Sequence, residues 1–563
     1  MNGDASVERG ADLAITALVG VVIVVWAWRA LTLDWTAAGD LAVIRLRALD
    51  VGTANTPLVG VYSRFGWNHP GPALAYALAP WARLTGSSGV GILVGALVIN
   101  LCSLGGALWV ARRAGRAMFA CTAVVLAAFV LLAHSGELFN PWNPYVIVLP
   151  LGAAVLAAWG TWRGDRVAAI VLVLSASFAI QGHLGAAPLG LTALAVGAAG
   201  LVRQMVRPPT GVDPRVVRRT ALIAGGVLVV CWIPALLDEL FATHNVTRII
   251  DFQLHDAQAT AGLRFALEQM TRLLTFPPGR QIGFPVLAGS GPVIPWMALA
   301  LAMATVVAWR RHWWDRLSLA VIAWLSIVVS TVAIAQLKGI AFPYLMRWAW
   351  ASAVVVWIAC VWVAVSVVAE RFDLGRWGGV LARSAIAVLL VAIAVTGVDF
   401  ESVRGWDASL RAYAPVVEPT LAVLRTAPEP ILLTTFLNTV DGTVANELLV
   451  RADASGVDVR RTPDLAGVFG RRRVIDPTRA ASQIVIVTSQ DFALVSDDPR
   501  YRLIAEVDPL SPDERVERDA LAARFDGRER EFVGDPDLRR YHELDERAEV
   551  VRVYYSQTPP FID

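Results

Sequence analysis

The stretch GDLAVIRLRALDVGTANTPLVGVYSRFGWNHPGP, residues 39–72, is polar and charged, and it follows directly on the first long apolar run of the chain. Its ionisable side chains are Asp40, Arg45, Arg47, Asp50, Arg64 and His69. Such groups next to a membrane are costly unless they are paired or used. We therefore interpret this stretch as the wall of a candidate reaction chamber.

The composition is that of a membrane protein. Of the 563 residues, 56% are hydrophobic and 17% are charged, whereas soluble domains carry about 25% charged residues. The net charge of +2 is small and the basic residues are scattered through loops, which excludes a nucleic-acid partner. The cysteines lie within apolar runs and lack metal-ligand spacing, so we expect buried, inert thiols.

Eleven apolar runs predict about eleven transmembrane helices, since a span takes roughly 20 residues. The runs are 11–33, 90–111, 117–133, 145–162, 167–180, 184–202, 221–240, 293–309, 317–337, 349–369 and 384–398. No small-residue cleavage site follows the first run, so we expect it to be retained as a helix.

The arginine-rich loops predict the orientation. They are 112–116, 163–166, 203–219, 310–316 and 370–376. With a cytoplasmic N-terminus all five fall on the cytoplasmic side, as the positive-inside rule requires. The stretch 34–89, the segments around Glu137 and His183, the loops 238–292 and 338–348, and everything after 398 are then external, and we expect a plasma (inner) membrane location.

The composition changes to that of a soluble protein after residue 398. Alternating helix and strand patterns between 399 and 563 predict a small external α/β domain. It contains no GxGxxG, P-loop or nucleophile-elbow motif, so a nucleotide partner is not expected. This domain can act as a lid, bind the acceptor or stabilise the membrane domain, or it can bind an envelope partner as part of a non-catalytic scaffold.

Asp40 has two interpretations. A carboxylate just beyond the first apolar run can act as general base towards a hydroxyl group, and Gly-Asp before LAVIRLRAL is also a good helix N-cap. The following segment places Leu41, Ile44 and Ala48 on one face, which predicts a short external helix lying in the membrane plane. Arg47 would then contact lipid phosphates.

The string YSRFGWNHPGP, residues 62–72, combines aromatic rings with Arg64 and His69 immediately before an apolar segment. A single histidine is often structural, but His69 shares one external loop with Arg64 and Asp40, so a substrate-binding role is an equal alternative. Most tryptophans mark the ends of predicted spans. Those in external polar motifs, which can instead stack on a substrate ring, are Trp67, Trp142, Trp348 and Trp350.

The layout of this loop resembles the C superfamily of multi-spanning glycosyltransferases (GT-C), in the aminoarabinose transferase and protein O-mannosyltransferase branch. The similarity lies in Gly39–Asp40 after the first helix, then amphipathic helices, then NHPGPALAYALAP opening the next apolar segment. Residue-level matching is confined to about the first 90 positions, while the layout extends to the spans and the external C-terminal domain. The resemblance implies a GT-C-like α-helical membrane domain, 1–398.

The resemblance also implies a function: transfer of a sugar from a polyprenyl-phosphate donor to an envelope glycan, lipid or protein acceptor, with inversion. It implies that Asp40 is the catalytic base and that external basic residues hold the donor phosphate. The candidates for donor or substrate binding are Arg64, His69, Glu137, His183, Lys338 and Arg347. Lys338 is the single lysine of the chain, and it can instead be an interface anchor. Glu137 and His183 can instead simply end their helices.

The family pattern often has two adjacent acids where this sequence has Asp40 followed by Leu41. Convergence of Asp40 with Glu137 could hold a divalent ion, but neither belongs to a DxD pattern, so we expect no required metal or other cofactor. The rival function is a transporter or flippase of lipid-linked glycans. A transporter predicts charges near the midplane of its spans, whereas here the charges concentrate in external loops.

Overall fold

The structure is a computed structural model that describes residues 37–86, 89–132, 136–208, 213–275, 294–372, 378–396, 401–436, 439–525, 535–545 and 547–562, together with 28, 32 and 35. A helical bundle precedes a smaller α/β part. The first predicted span, 11–33, lies almost wholly outside the described residues.

The other ten predicted spans are all helices. In chain order the helices of the bundle are α1 Gly39–Asp50, α2 Ala73–Leu84, α3 Val90–Ala114, α4 Arg116–Leu132, α5 Gly136–Phe139, α6 Asn143–Val146, α7 Val148–Trp162, α8 Arg166–Gly182, α9 Ala187–Val206, α10 Pro214–Phe241, α11 Asn245–His255, α12 Gly262–Leu273, α13 Trp296–Arg310, α14 Trp314–Ala335, α15 Trp350–Arg371 and α16 Gly378–Thr396. Short 3₁₀ turns at Leu184–Ala186 and Pro343–Ala349 lead into α9 and α15.

Six helical segments of the described chain are long and apolar enough to cross a membrane. They are Val90–Ala114, Asn143–Trp162, Leu184–Val206, Pro214–Phe241, Trp314–Ala335 and Pro343–Arg371. The remaining apolar helices are shorter, which leaves the count of eleven spans as a prediction. The chain is a multi-span membrane protein.

Helix α7 lies at the centre of the bundle, where it packs against α3, α8, α9 and α15. Its residues are apolar and almost entirely buried. The arginine-rich loops end at well-capped helices: the Asp165 carboxylate accepts N–H groups from Val167 and Ala168 at the start of α8, and Asp213 caps α10 with Pro214 at its first position. Such caps satisfy N–H groups that a helix start leaves unpaired.

The α/β part has a five-stranded sheet of order β2-β1-β3-β5-β4. Its elements are α17 Glu401–Leu424, β1 Ile431–Thr435, α18 Thr439–Ser455, β2 Val459–Arg460, α19 Ala466–Phe469, β3 Ser482–Thr488, β4 Arg502–Val507, α20 Pro512–Phe525, α21 Pro536–Asp545 and β5 Val551–Ser556. Strands β1, β2 and β3 are parallel, and β5 runs antiparallel to both β3 and β4. The predicted α/β fold and its strands are confirmed, and the boundary near 398 stays a prediction.

Helix α1 is not the membrane-surface helix that its arginines suggested. One face, with Leu41, Ile44 and Ala48, packs into the core of the bundle. The opposite face, with Ala42 and Val43, belongs to the core of the α/β part. The helix is apolar on both sides, so burial between two domains removes more apolar surface from water than contact with headgroups would.

Charged residues of α1 also join the two parts. The Asp50 carboxylate is 1% exposed and accepts hydrogen bonds from Arg473 at 2.7 and 3.0 Å. Arg47 lies 3.2 Å from the same carboxylate, so the expected contact of Arg47 with lipid phosphate is wrong. The Arg45 side chain donates to the carbonyl of Gly86. Asp50 and Arg47 therefore serve the domain junction, Arg45 bonds within the bundle, and all three lie outside the candidate chamber.

Candidate active site

A cavity of about 720 Å³ lies where the loops predicted to be external meet the ends of the spans. Its polar lining residues include Asp40, Arg64, His69, His183 and Lys338. These five residues come from three separate parts of the chain that the fold brings together: the stretch 34–89, His183 and Lys338. The sequence-based expectation that they share one chamber is supported for this set.

Asp40 lies in the first turn of α1 and points into the cavity. The Trp142 indole Nε1–H donates a hydrogen bond of 3.0 Å to its Oδ2 atom. The alternative interpretation of Asp40 as an N-cap is wrong, because the N-cap is Ala38 and no side chain caps this helix. Gly39 instead takes a left-handed conformation, φ +49°, that favours glycine. The Asp40 carboxylate is thus available for chemistry.

The surroundings of the cavity raise the pKa of Asp40. The principal cause is desolvation by the walls, and the hydrogen bond from Trp142 opposes it. The Asp40 side chain is nevertheless exposed, and a ligand in the cavity can reach it because it lines the cavity wall. A carboxylate with a raised pKa is a stronger base when ionised, which suits it to proton abstraction.

His69 and His183 form a buried pair with ring centroids 4.8 Å apart. The Nδ1 of His69 accepts the backbone N–H of Leu184, and the Nδ1 of His183 accepts that of Gly185. An acceptor nitrogen carries no proton, so each neutral ring holds its proton on Nε2. Burial lowers the pKa of His69 well below its ordinary value, with the neighbouring His183 adding to it, and burial lowers the pKa of His183 to about 4. As neutral rings they can donate hydrogen bonds to a substrate but cannot supply positive charge.

The histidine pair predicts a specific loss of stability in acid. The His183 pKa is depressed on folding, so the unfolded chain binds the extra proton first as pH falls below about 6.5. Stability present above that pH is therefore lost towards pH 4, by at most about 1.4 kcal/mol per pH unit for one group. We expect His183→Gln to show a smaller fall in unfolding temperature between pH 8 and pH 5 than the wild type. The exposed residue His255 provides the control: His255→Gln should fall as the wild type does, and an equal fall in His183→Gln would contradict the prediction.

Lys338 and Arg64 supply the positive charge in the cavity wall. Lys338 Nζ donates to the carbonyls of Phe252 and Asp256, both at 2.8 Å, at the C-terminal end of α11. An ammonium group has three N–H donors, so one remains for a ligand. The Arg64 guanidinium lies between the rings of Phe65 and Phe342 and donates to the Ile340 carbonyl at 2.6 Å. Both cations are held by neutral groups, which leaves their charge available.

One predicted site residue, Arg347, is not brought to this cavity. The Arg347 guanidinium lies 3.9 Å from the centre of the Trp350 ring and also faces Tyr145, and it does not belong to the cavity wall. Tyr344, three residues earlier in the 3₁₀ turn Pro343–Ala349, lines the cavity instead. Glu137 lies in α5, but its side chain lies outside the described residues.

One wall of the cavity is apolar and open to the outside of the bundle. It is formed by Leu191 on α9 and by Val328 and Val332 on α14, and each of these side chains is more than half exposed. Both helices are long enough to cross the membrane. An apolar opening between two membrane-crossing helices suits a hydrocarbon chain, because its surface would otherwise face lipid.

Sequence reasoning missed Tyr344, Phe252 and Gln253, which also line the cavity. Trp67, Trp142 and Trp348 line it as expected for rings in external motifs, whereas Trp350 does not. Phe252 and Gln253 lie on α11, within a long external loop whose fold no local pattern defined. Among the described residues, no group of three or more His, Cys, Asp or Glu is placed to hold a metal ion.

No protein-family model and no curated protein matches this chain. Solved structures do match. ArnT from Cupriavidus metallidurans in the apo state has a TM-score of 0.50 at 13% identity, covering 88% of this chain and 96% of that chain. The same protein bound to undecaprenyl phosphate has a TM-score of 0.49 at 14% identity, covering 87% and 96%. The archaeal oligosaccharyltransferase AglB from Archaeoglobus fulgidus has a TM-score of 0.40 at 10% identity, covering 97% and 88%.

At these identities the likeness concerns the fold. It extends over the bundle and the α/β part together, because most of both chains is aligned with apo ArnT. The GT-C resemblance seen in the loop after the first apolar run is thereby confirmed for the architecture. The chain has the fold of apo ArnT.

Proposed function

We propose that this protein is an inverting membrane glycosyltransferase that moves a sugar from a polyprenyl-phosphate donor to a hydroxyl acceptor. The observation that carries the proposal is the joint placement of Asp40, Lys338 and Arg64 in one cavity that opens through an apolar wall between α9 and α14. The fold likeness to apo ArnT supports the same class. The acceptor is an envelope glycan, lipid or protein.

In the proposed reaction Asp40 acts as general base. It takes the proton of the acceptor hydroxyl as the acceptor oxygen forms a bond to the anomeric carbon. The bond from that carbon to the phosphate oxygen breaks, and the polyprenyl phosphate leaves with the electron pair. A single displacement of this kind inverts the anomeric configuration.

Lys338 and Arg64 are the proposed phosphate-binding residues. Negative charge builds on the departing phosphate in the transition state, and cations held nearby stabilise it without having to reorganise. The neutral His69 and His183 would donate Nε2–H hydrogen bonds to sugar or phosphate oxygens. Arg347 is not proposed for this role, since it lies outside the cavity wall.

The apolar wall is the proposed path of the polyprenyl chain. Leu191, Val328 and Val332 face both the cavity and the exterior of the bundle, so a lipid chain can remain among membrane lipids while its phosphate reaches Lys338. The proposed location is the plasma membrane with a cytoplasmic N-terminus and an external cavity. A carboxylate positioned for proton abstraction favours an enzyme over a flippase, which would need no base.

The function is tested by incubating the purified protein with a synthetic polyprenyl-phosphate sugar and glycan, lipid or peptide acceptors. The proposal expects polyprenyl phosphate to be released in step with a glycosylated product of inverted configuration. Movement of the intact donor across vesicle membranes, with no product, would instead favour the flippase.

Lys338→Met is expected to weaken binding of a short-chain polyprenyl phosphate by about tenfold or more, because a charge-assisted hydrogen bond contributes about 1.5–3 kcal/mol. Methionine preserves most of the apolar stem and removes the charge. Binding is measured by titration calorimetry in detergent. Arg264→Met, an exposed cation of α12 that does not line the cavity, is the matched control and should bind as the wild type does. Equal affinity in Lys338→Met would remove Lys338 from the phosphate site.

A further inference from the structure

Trp142 is fixed in position by backbone hydrogen bonds and by contacts with two neighbouring rings. Its carbonyl accepts the N–H groups of Tyr145 and Val146 at the start of α6, and its own N–H donates to Asn140 Oδ1 at 2.9 Å. The indole stacks on Tyr145 at 5.5 Å and packs against Tyr344 at 5.0 Å. The position of the indole N–H is therefore set by the backbone and by two neighbouring rings.

In the hydrogen bond between Trp142 and Asp40, the indole must be the donor. Indole Nε1–H is a donor only, so Trp142 can donate to Asp40 Oδ2 but can never accept a proton from it. The hydrogen bond consequently favours the ionised carboxylate, against the desolvation imposed by the cavity walls. It also engages one lone pair of Oδ2, which favours Oδ1 as the oxygen that takes a proton.

Among the described residues, the other charged and titratable groups around Asp40 make no hydrogen bond to its carboxylate. Those that share its cavity are Tyr62, Arg64, His69, His183, Lys338 and Tyr344. On α1 itself, Arg47 and Asp50 face the domain junction. From the α/β part, Asn446 donates to the Gly39 carbonyl, and the adjacent Glu447 is paired with Arg451. Within the described part of the chain, the Trp142 indole is the side chain that bonds the Asp40 carboxylate.

We propose that Trp142 is the positioning residue for Asp40, holding Oδ2 so that Oδ1 faces the acceptor hydroxyl and receives its proton. The inference rests on the proposed function of Asp40 as base. Trp142 does not touch the reacting atoms; it sets the orientation and the charge state of the group that does. The proton leaves the acceptor oxygen for Oδ1, an electron pair of that oxygen forms the bond to the anomeric carbon, and the bond from that carbon to the phosphate oxygen breaks with its electron pair leaving on the phosphate.

The test is an infrared titration of the Asp40 carboxyl group, isolated by subtracting the spectrum of Asp40→Asn at each pH. Trp142→Phe retains an aromatic ring against Tyr145 and Tyr344 but lacks the N–H. We expect the midpoint of the protonated C=O band to move to higher pH in Trp142→Phe. The acidic limb of the kcat/KM profile should follow, with about a tenfold loss at its acidic end and a smaller loss at alkaline pH.

Trp67→Phe is the matched control. Trp67 lines the same cavity, and its buried indole nitrogen has no hydrogen-bond partner among the described residues, so its replacement should leave the Asp40 midpoint where it is. An unmoved midpoint in Trp142→Phe would overturn the proposal even if sugar transfer is observed. A moved midpoint in a protein that transfers no sugar would support the positioning role and refute the proposed glycosyltransferase function.

Discussion

Asp40→Asn is expected to reduce sugar transfer by about 10²–10⁴-fold, the usual contribution of a general base. Asparagine has nearly the same shape, and its carbonyl can still accept the Trp142 N–H, so the cavity should be preserved. What is lost is the ability to accept a proton from the acceptor hydroxyl. The loss should fall on kcat, while affinity for a polyprenyl phosphate stays close to that of the wild type. The measurement is release of polyprenyl phosphate from a synthetic donor under saturating acceptor.

Asp251→Asn is the matched control for this variant. It removes the same charge from an exposed external carboxylate on α11 that pairs with His255 and does not line the cavity. Its rate should equal that of the wild type. Full activity in Asp40→Asn would show that Asp40 is not the general base. The flippase and scaffold functions would then have to be considered again.

Asp50→Asn is expected to cause the largest loss of stability, on the order of 3–5 kcal/mol, which is typical of removing one partner from a buried ion pair. The Asp50 carboxylate is 1% exposed and Arg473 is 3% exposed. Arg472 also lies 3.2 Å from this carboxylate. Without Asp50, the buried Arg473 guanidinium would lose two hydrogen bonds and would keep Asp453, at 3.4 Å, as a carboxylate partner. The unfolding temperature in detergent should therefore fall sharply.

A surface pair provides the comparison. Asp508 is 41% exposed and pairs with Arg515, so Asp508→Asn should cost about 0–1 kcal/mol. An unfolding temperature in Asp50→Asn equal to that of Asp508→Asn would show that the junction does not depend on the ion cluster. Because the apolar residues of α1 complete the core of the α/β part, we also expect proteolysis between the two parts to accelerate in Asp50→Asn.

The α/β part thus has a stabilising contact with the helix that carries Asp40. Asn446 donates to the Gly39 carbonyl at 3.2 Å, one residue before the proposed base. Ala42 and Val43 are shared with its core. Among the lid, acceptor-binding and stabilising roles considered from the sequence, these contacts favour stabilisation of α1.

The spans and strands could be predicted because their signals are local. A continuous apolar run such as 349–369 predicts a buried or membrane-embedded helix, and an alternating or fully apolar segment such as SQIVIVT predicts a strand. Helix α1 shows where this reasoning fell short. Its apolar residues point in two directions, which indicates burial on both sides, but its two arginines suggested headgroups.

The contacts that define the site depend on distant parts of the chain. Asp40 and Trp142 are 102 positions apart, and Asp50 and Arg473 are 423 positions apart. The spacing of the two residues in the sequence predicts neither of these contacts. Likewise Arg347 and Tyr344 share one short segment, and no sequence pattern indicates that the tyrosine, not the arginine, lines the cavity.

The central claim is that one cavity holds the lipid phosphate next to the base. A structure of the protein with a polyprenyl phosphate bound tests it most directly. We predict phosphate density within hydrogen-bond reach of Lys338 Nζ, on the Asp40 side of the cavity, with the lipid chain passing Val328 and Val332. Phosphate density elsewhere on the protein, with this cavity empty at saturating ligand, would contradict the account.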